Sequence, residues 1–201
     1  FSFITNLFII LGIFSKFGIE ELTPREIPRL LDSSSDLKGL YIFAITRTII
    51  FSIIVILFVY VISILYENFN FDFKSSISII GIWFILRMIV ELFSFFFQSI
   101  NKTISSRLIL SIFPPMISII LILINYNFNV FIISLKLIFQ IIILSYFISF
   151  FIVILFSNPF YLKSKVTSKF QFNKWMKISF NFMILSGLFL FLSRVNPLIL
   201  A

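Results

Sequence analysis

The chain has 201 residues, of which 60% are apolar and only 12% are charged, and its formal net charge is +8. Soluble domains are about half apolar and about a quarter charged, so this composition excludes a soluble globular domain as well as a disordered tail. Cys and His are both absent from the sequence, which excludes disulfide frameworks, thiolate nucleophiles, Cys/His zinc sites and Ser-His-Asp triads. We therefore predict an all-α polytopic membrane protein, with no resident metal and no cofactor bound by this chain.

Residue usage points to the type of genome. Phe, Ile, Asn, Lys and Tyr are encoded by A/T-rich codons, and the chain contains 31 Phe. Such a bias is typical of organelle genomes, especially mitochondrial ones, and of some reduced bacterial genomes. The sequence shows neither a signal-peptide pattern nor an Arg- and Ser-rich presequence. We expect an organelle-encoded protein of the mitochondrial inner membrane.

Six apolar stretches follow one another along the chain. They cover residues 1–15, 40–66, 77–100, 108–124, 129–156 and 178–194. About 20 apolar residues cross a bilayer as a helix, and hydrocarbon requires every backbone group to be paired internally, so each stretch is predicted to be a helix. The period-2 alternation of a membrane barrel is missing from the sequence. With no internal repeat, residues 1–201 are predicted to form a single membrane domain.

Lysine and arginine are unevenly divided between the two sides that six spans define. The connections at 16–39, 101–107 and 157–177 carry eleven of the 16 cations, the opposite side carries two, and three lie within spans. Positively charged connections stay on the cytoplasmic or matrix side of a membrane. This pattern predicts that the polar connection at 16–39 and the basic one at 157–177 face the matrix, and that both chain termini lie on the other side.

Charged groups inside spans mark either a pathway or a buried pair, because they are costly in hydrocarbon. Arg87 and Glu91 are spaced i, i+4 on one helix face, which predicts an ion pair that serves either as a proton-relay step or as a structural bridge. Arg47 and Lys136 lie about eight residues into their spans and are expected to extend to the membrane surface. Gln140 lies one turn beyond Lys136, and the two predict a polar stripe that faces protein.

Two proline-containing segments have more than one interpretation. Pro114 and Pro115 interrupt the fourth span, which predicts either a broken helix lining a cavity or a packed kink. In the 16–39 connection, Thr23 and Pro24 are followed by Glu26 in the pattern of a capping box. This pattern predicts a helix that starts there, in a segment that is either a solvated loop or an interfacial helix.

The basic connection at 157–177 interleaves lysines with aromatic residues. Beside two spans, this spacing suits anionic lipid headgroups such as those of cardiolipin, and we expect no nucleic-acid binding. The candidate headgroup-contacting residues are Lys163, Lys165, Lys169, Lys174, Trp175 and Lys177.

Two segments resemble NADH dehydrogenase subunit 1 of respiratory complex I. Residues 21–28 read Glu-Leu-Thr-Pro-Arg-Glu-Ile-Pro and are followed by Ser-Asp-Leu at 35–37. They are similar to the family's loop Glu-Leu-x-x-Thr-Pro-Phe-Asp-(Leu or Ile)-Pro-Glu. Residues 168–178 are similar to the family's Pro-Arg-Phe-Arg-Tyr-Asp-Gln-Leu-Met-Lys-Leu string before its last helix. The order of the segments is that of the family, but four spans rather than two separate them, and Arg25 and Arg29 fall where the family has an acidic run.

This resemblance implies a subunit that shapes the quinone-side membrane interface and the start of a proton path. It implies other membrane subunits as partners, a quinone bound nearby, and a non-catalytic or accessory role for this chain, with no catalytic residue assigned. The acidic residues it assigns to the loop are Glu20, Glu21, Glu26 and Asp36.

A second resemblance is to subunit a of the F-type ATP synthase. Glu91-x-x-Ser94, followed by Arg107-Leu108-x-x-Ser111, is similar to that family's pattern, in which an Arg faces the rotor ring. It implies that Arg107 separates two proton half-channels, with Gln140 on the partner helix. A third interpretation is a non-catalytic structural subunit. The proton-path candidates of these interpretations are Arg87, Glu91, Arg107, Lys136 and Gln140.

Overall fold

The computed structural model describes residues 11–31, 33–65, 71–128, 135–161 and 170–199. Nearly all of these residues are helical, and none of them lies in a strand. Four helical segments among them are long and apolar enough to cross a membrane, namely Ser35–Ile62, Ile79–Ser99, Thr103–Asn125 and Leu137–Leu155. The prediction of a helical membrane protein is confirmed.

Seven helices follow a short helical stretch at 11–16 in the described part of the chain. They are α1 (Ile19–Leu30), α2 (Ser34–Leu65), α3 (Phe71–Ser99), α4 (Thr103–Arg107), α5 (Phe113–Phe128), α6 (Leu135–Tyr161) and α7 (Phe172–Ile199). The second to fifth predicted spans correspond to the four apolar segments. The first predicted span lies mostly outside the described residues. The sixth lies within α7, which is helical but is not among those four segments.

Helix α3 is the centre of the bundle. It packs against α1, α2, α4 and α6, and 67% of its most apolar window is buried, compared with 33% or less in the other three apolar segments. Those segments expose many large side chains, for example Leu57 and Phe58 on α2, Ile119 on α5 and Leu155 on α6. An apolar outer surface is expected of helices whose solvent is lipid, since unpaired polar groups are costly there.

Helix α1 corrects the expectation for the 16–39 connection. It begins at Ile19 rather than at Thr23, so Pro24 lies inside the helix, and the Thr23 hydroxyl is buried without a hydrogen-bond partner. The capping-box prediction was therefore wrong. The helix starts earlier because apolar residues at Ile19, Leu22, Ile27 and Leu30 follow a helical period and bury one face.

The span that contains Pro114 and Pro115 is continuous. A π-helical turn, Leu108–Ile112, joins α4 to α5 directly before the prolines, and such turns absorb irregular helical hydrogen bonding. The Ser118 hydroxyl donates to the Pro114 carbonyl at 2.9 Å and also contacts the Ser145 hydroxyl of α6 at 2.8 Å. Of the two interpretations of this segment, the structure favours a packed kink.

Candidate functional site

A network of four charged side chains connects the start of α1 to the middle of α3. Lys16 Nζ lies 2.7 Å from Glu20 Oε2 and 3.4 Å from Glu91 Oε2, while Arg87 Nε donates to Glu91 Oε1 at 2.9 Å. The network contains two cations and two carboxylates, so its formal charges cancel. It combines the predicted Arg87–Glu91 pair with two residues from a different part of the chain.

A tight turn brings Lys16 and Glu20 to α3. Phe17 and Gly18 both have left-handed backbone conformations, with φ of 49° and 70°, and they separate the helical stretch at 11–16 from α1. The Phe17 ring stacks on Phe51 of α2 with centroids 4.2 Å apart, which anchors the turn to the bundle. Lys16 directly precedes the turn and Glu20 follows it by two residues, so their side chains can meet.

Aromatic rings surround the network. Lys16 Nζ lies 5.7 Å from the centroid of Phe95, and the Arg87 guanidinium lies 5.4 Å from that of Trp83. Trp83 in turn makes an edge-on contact with Tyr146 of α6 at 6.3 Å. Cations held over ring faces are stabilised by the ring quadrupole, more strongly where water is scarce. The rings thus shield the network while leaving its charged atoms paired with one another.

Lys16 has two carboxylates within reach. Burial lowers the pKa of Lys16, but the nearby Glu91 and Glu20 carboxylates more than offset this, so the pKa is raised above its ordinary value. Lys16 therefore remains a cation at neutral pH. Glu91 is held by Lys16 on one oxygen and by Arg87 on the other, so the position of its carboxylate depends on both cations.

A second charged cluster joins α1 to α7. Glu26 is almost completely buried, with 2% of its surface exposed. Its Oε2 accepts from Lys174 Nζ at 2.6 Å, and its Oε1 accepts from Arg29 Nη1 at 3.2 Å. Glu26 and Lys174 belong to the two segments that carry the resemblance to the complex I subunit, so those two segments are in direct contact.

A hydroxyl pair lies one helical turn beyond the first network. The Ser94 and Ser106 hydroxyls are buried and 2.8 Å apart, and they link α3 to α4. Ser94 is three residues after Glu91 on the same helix. The resemblance to subunit a includes Ser94 but not its partner Ser106.

The other proton-path and loop candidates lie apart from the two clusters. Glu21, Arg107 and Gln140 are exposed. Asp36 accepts a hydrogen bond from the Ser33 hydroxyl at 2.8 Å near the start of α2. The backbone of Lys136 is in α6, but its side chain is outside the described part of the chain.

The headgroup candidates divide into surface and core residues. Lys163, Lys165 and Lys169 lie outside the described residues, while Lys174 and Lys177 are exposed. Trp175 is fully buried and packs against Phe43 of α2 with centroids 5.6 Å apart. The expectation that Trp175 contacts lipid headgroups was therefore wrong, because its ring fills the junction between α7 and α2.

Sequence reasoning missed Lys16 as a member of the site. It was counted only as one of the cations of the 16–39 connection, although its i, i+4 spacing from Glu20 is a recognisable pairing signal. Its contact with Glu91, 75 residues away, had no signal in the sequence.

No protein-family model matches the chain, and no curated protein or solved structure is found to match it.

Proposed function

We propose that the chain is a multi-pass subunit of a proton-translocating complex of the mitochondrial inner membrane, similar to NADH dehydrogenase subunit 1 of respiratory complex I. The observation that carries the proposal is the Glu26–Lys174 contact. Two short segments far apart in the sequence resemble separate parts of one family, and they meet through their charged residues. The support for the proposal is that these two segments are neighbours in the fold.

In this proposal, the Lys16–Glu20–Glu91–Arg87 network is the first step of a proton path. Two carboxylates from different parts of the chain, Glu20 and Glu91, both contact the Lys16 ammonium group, which forms a charged link between them. Lys16 Nζ lies closer to Glu20, at 2.7 Å, than to Glu91, at 3.4 Å. The network thereby connects the α1 end of the protein with the interior of α3.

The composition of native complexes tests the proposal. Membranes are solubilised gently, complexes are separated on a native gel, and mass spectrometry identifies the band that contains this chain. Co-migration with NADH-oxidising subunits is the expected result. A band of its own would contradict the proposal and would favour a structural subunit.

A proton-channel subunit similar to subunit a of the ATP synthase is the second candidate. One observation favours it: Arg107 is exposed at the end of α4 and forms no ion pair within the described ranges. An unpaired arginine beside a span is what a rotor-facing residue requires. Under this candidate the chain co-migrates with the rotor ring, and Arg107→Ala abolishes ATP-driven proton pumping.

A further inference from the structure

A cleft of about 250 Å³ lies between α1 and α7. Arg25, Glu26 and Arg29 line it from α1, and Ile178, Asn181 and Phe182 line it from α7. Pockets for drug-sized ligands are larger, about 300–1,000 Å³. This cleft therefore suits a small polar group with a short apolar extension.

The two arginines of the cleft are well placed to bind an anion. Arg29 uses one of its guanidinium nitrogens on Glu26, and a guanidinium has five N–H donors, so most of its donors remain available. The Arg25 guanidinium lies 4.4 Å from the centroid of the Phe182 ring. This cation–π contact holds the Arg25 guanidinium at the wall of the cleft, and no ion pair with Arg25 is present in the described part of the chain.

The acidic side chain of the cleft does not oppose an anion. Glu26 is held on both oxygens, by Lys174 and Arg29. With Arg25, which lines the same cleft, three cations are present for one carboxylate. The excess positive charge sits beside the donor side chain of Asn181. Planar arginine forks and an amide donor are the groups that bind phosphate oxygens.

The position of α1 indicates that the phosphate near the cleft is that of a lipid headgroup. The helix connects the stretch at 11–16 with α2, whose apolar segment begins at Ser35. Its apolar residues are buried, while Glu21, Arg25 and Arg29 are exposed. An amphipathic helix of this kind beside spans lies at the membrane surface, where anionic lipid headgroups are concentrated.

We infer that the α1–α7 cleft binds the phosphate of an anionic lipid headgroup through Arg25 and Arg29, with Ile178 and Phe182 forming the wall for its glycerol. This inference goes beyond the proposed function: it uses none of the four residues of the proton path, and it shares Glu26 with the contact that carries that proposal. It also differs from the expectation based on the lysine run, because the binding groups are arginines of α1.

Lipid titration of the purified full-length chain tests the inference. Dioctanoyl phosphatidylglycerol, dioctanoyl phosphatidylcholine and inorganic phosphate are added separately in neutral detergent, and retained ligand is measured by native mass spectrometry. We expect phosphatidylglycerol to bind saturably. Arg25→Gln with Arg29→Gln should weaken it about tenfold or more, as expected for loss of charge-assisted hydrogen bonds.

A matched control separates the cleft from the general surface charge. Lys102→Gln with Arg107→Gln also removes two exposed cations, and it should leave the affinity within about twofold, since neither residue lines the cleft. Arg25→Lys with Arg29→Lys keeps both charges but loses the planar forks, so an intermediate loss is expected. This second variant keeps the test decisive if the first one fails to fold.

Three outcomes decide the matter. Binding of phosphatidylglycerol without competition from phosphate supports a lipid headgroup. Displacement of phosphatidylglycerol by inorganic phosphate, if the arginine variants no longer bind phosphate, supports the same phosphate recognition with a soluble phosphate as the ligand. Equal binding of the two lipids, or an equal loss in the control variant, overturns the inference.

Discussion

The two charged clusters on either side of α1 differ in how their cations are exposed. In the first network, the side chains of Lys16, Glu20, Arg87 and Glu91 are all 25% exposed or less, and positive and negative charges are equal in number. In the second cluster, Glu26 is 2% exposed, but Lys174 and Arg29 are 49% and 72% exposed. The first network is closed to its surroundings, while the second holds a buried carboxylate with cations that reach the surface.

This difference shows that a buried carboxylate has a different role in each place. In the first network, each charged group depends on its partners. A largely buried cation that loses its carboxylate is not solvated by water in its place, so its charge is left uncompensated. In the second cluster, the cations can return to solvent at little cost. A closed and balanced network suits charge transfer within the protein, whereas an open cluster with excess positive charge suits a ligand from outside.

The largest expected effect comes from removing the Glu91 carboxylate of the first network, with the matching substitution of Glu26 in the second cluster as the comparison. Glu91→Ala leaves Arg87 without its carboxylate and Lys16 with Glu20 alone, and it is expected to lower the free energy of unfolding by about 3–5 kcal/mol. Glu26→Ala frees two exposed cations and should cost about 1 kcal/mol. Denaturant unfolding in detergent measures both values. Equal losses would contradict the distinction between the clusters.

A smaller effect is expected at the turn that positions α1 between the clusters. Gly18 has φ of 70°, and a Cβ there would meet the backbone of Ser179 and lie 2.7 Å from the Met183 nitrogen of α7. Gly18→Ala should therefore destabilise the protein by about 2 kcal/mol, from the left-handed conformation and the collision together.

Gly187 provides the control for this substitution. It lies inside α7, and a Cβ there meets nothing within 4 Å. Gly187→Ala is expected to stabilise the protein by about 0.5–1 kcal/mol through helix propensity. Destabilisation by both alanines to the same extent would argue against the close approach of α1 and α7.

The smallest effect is a pH dependence of stability due to Lys16. Its pKa is raised in the folded protein, since Glu91 and Glu20 together outweigh its burial. The stabilisation is therefore fully present below the unfolded value of about 10.5 and is lost as the pH rises through the higher folded value. Unfolding curves of the wild type and Lys16→Gln should run parallel from pH 7 to about pH 9.5 and converge above it. Parallel curves at pH 11 would contradict the assignment.

The sequence was sufficient to predict the four apolar helices but not the start of α1. The length of an apolar run determines a span by itself, so the segments within 40–66, 77–100, 108–124 and 129–156 correspond to helices. The start of α1 was misplaced because a local pattern at Thr23 and Pro24 competed with the apolar periodicity from Ile19, and burial of that face prevailed.

The candidate site was predictable only where its residues are close in sequence. Arg87 and Glu91 were predicted as a pair from their i, i+4 spacing, and the pair is present at 2.9 Å. The contacts of Glu91 with Lys16 and of Glu26 with Lys174 join residues from distant segments, and helix packing alone brings them together. Trp175 looked like a lipid contact because its neighbours are basic, although its ring is buried in the core.

Proton pumping by a Glu91→Gln variant tests the central claim most directly. The amide has nearly the shape of the carboxylate and can still accept from Arg87, but it cannot be protonated at neutral pH. In vesicles that contain the native complex, we predict reduced quinone-linked proton pumping per electron transferred, with Arg107→Ala unchanged as the control. Wild-type pumping by Glu91→Gln, with loss of ATP-driven pumping in Arg107→Ala, would contradict the account.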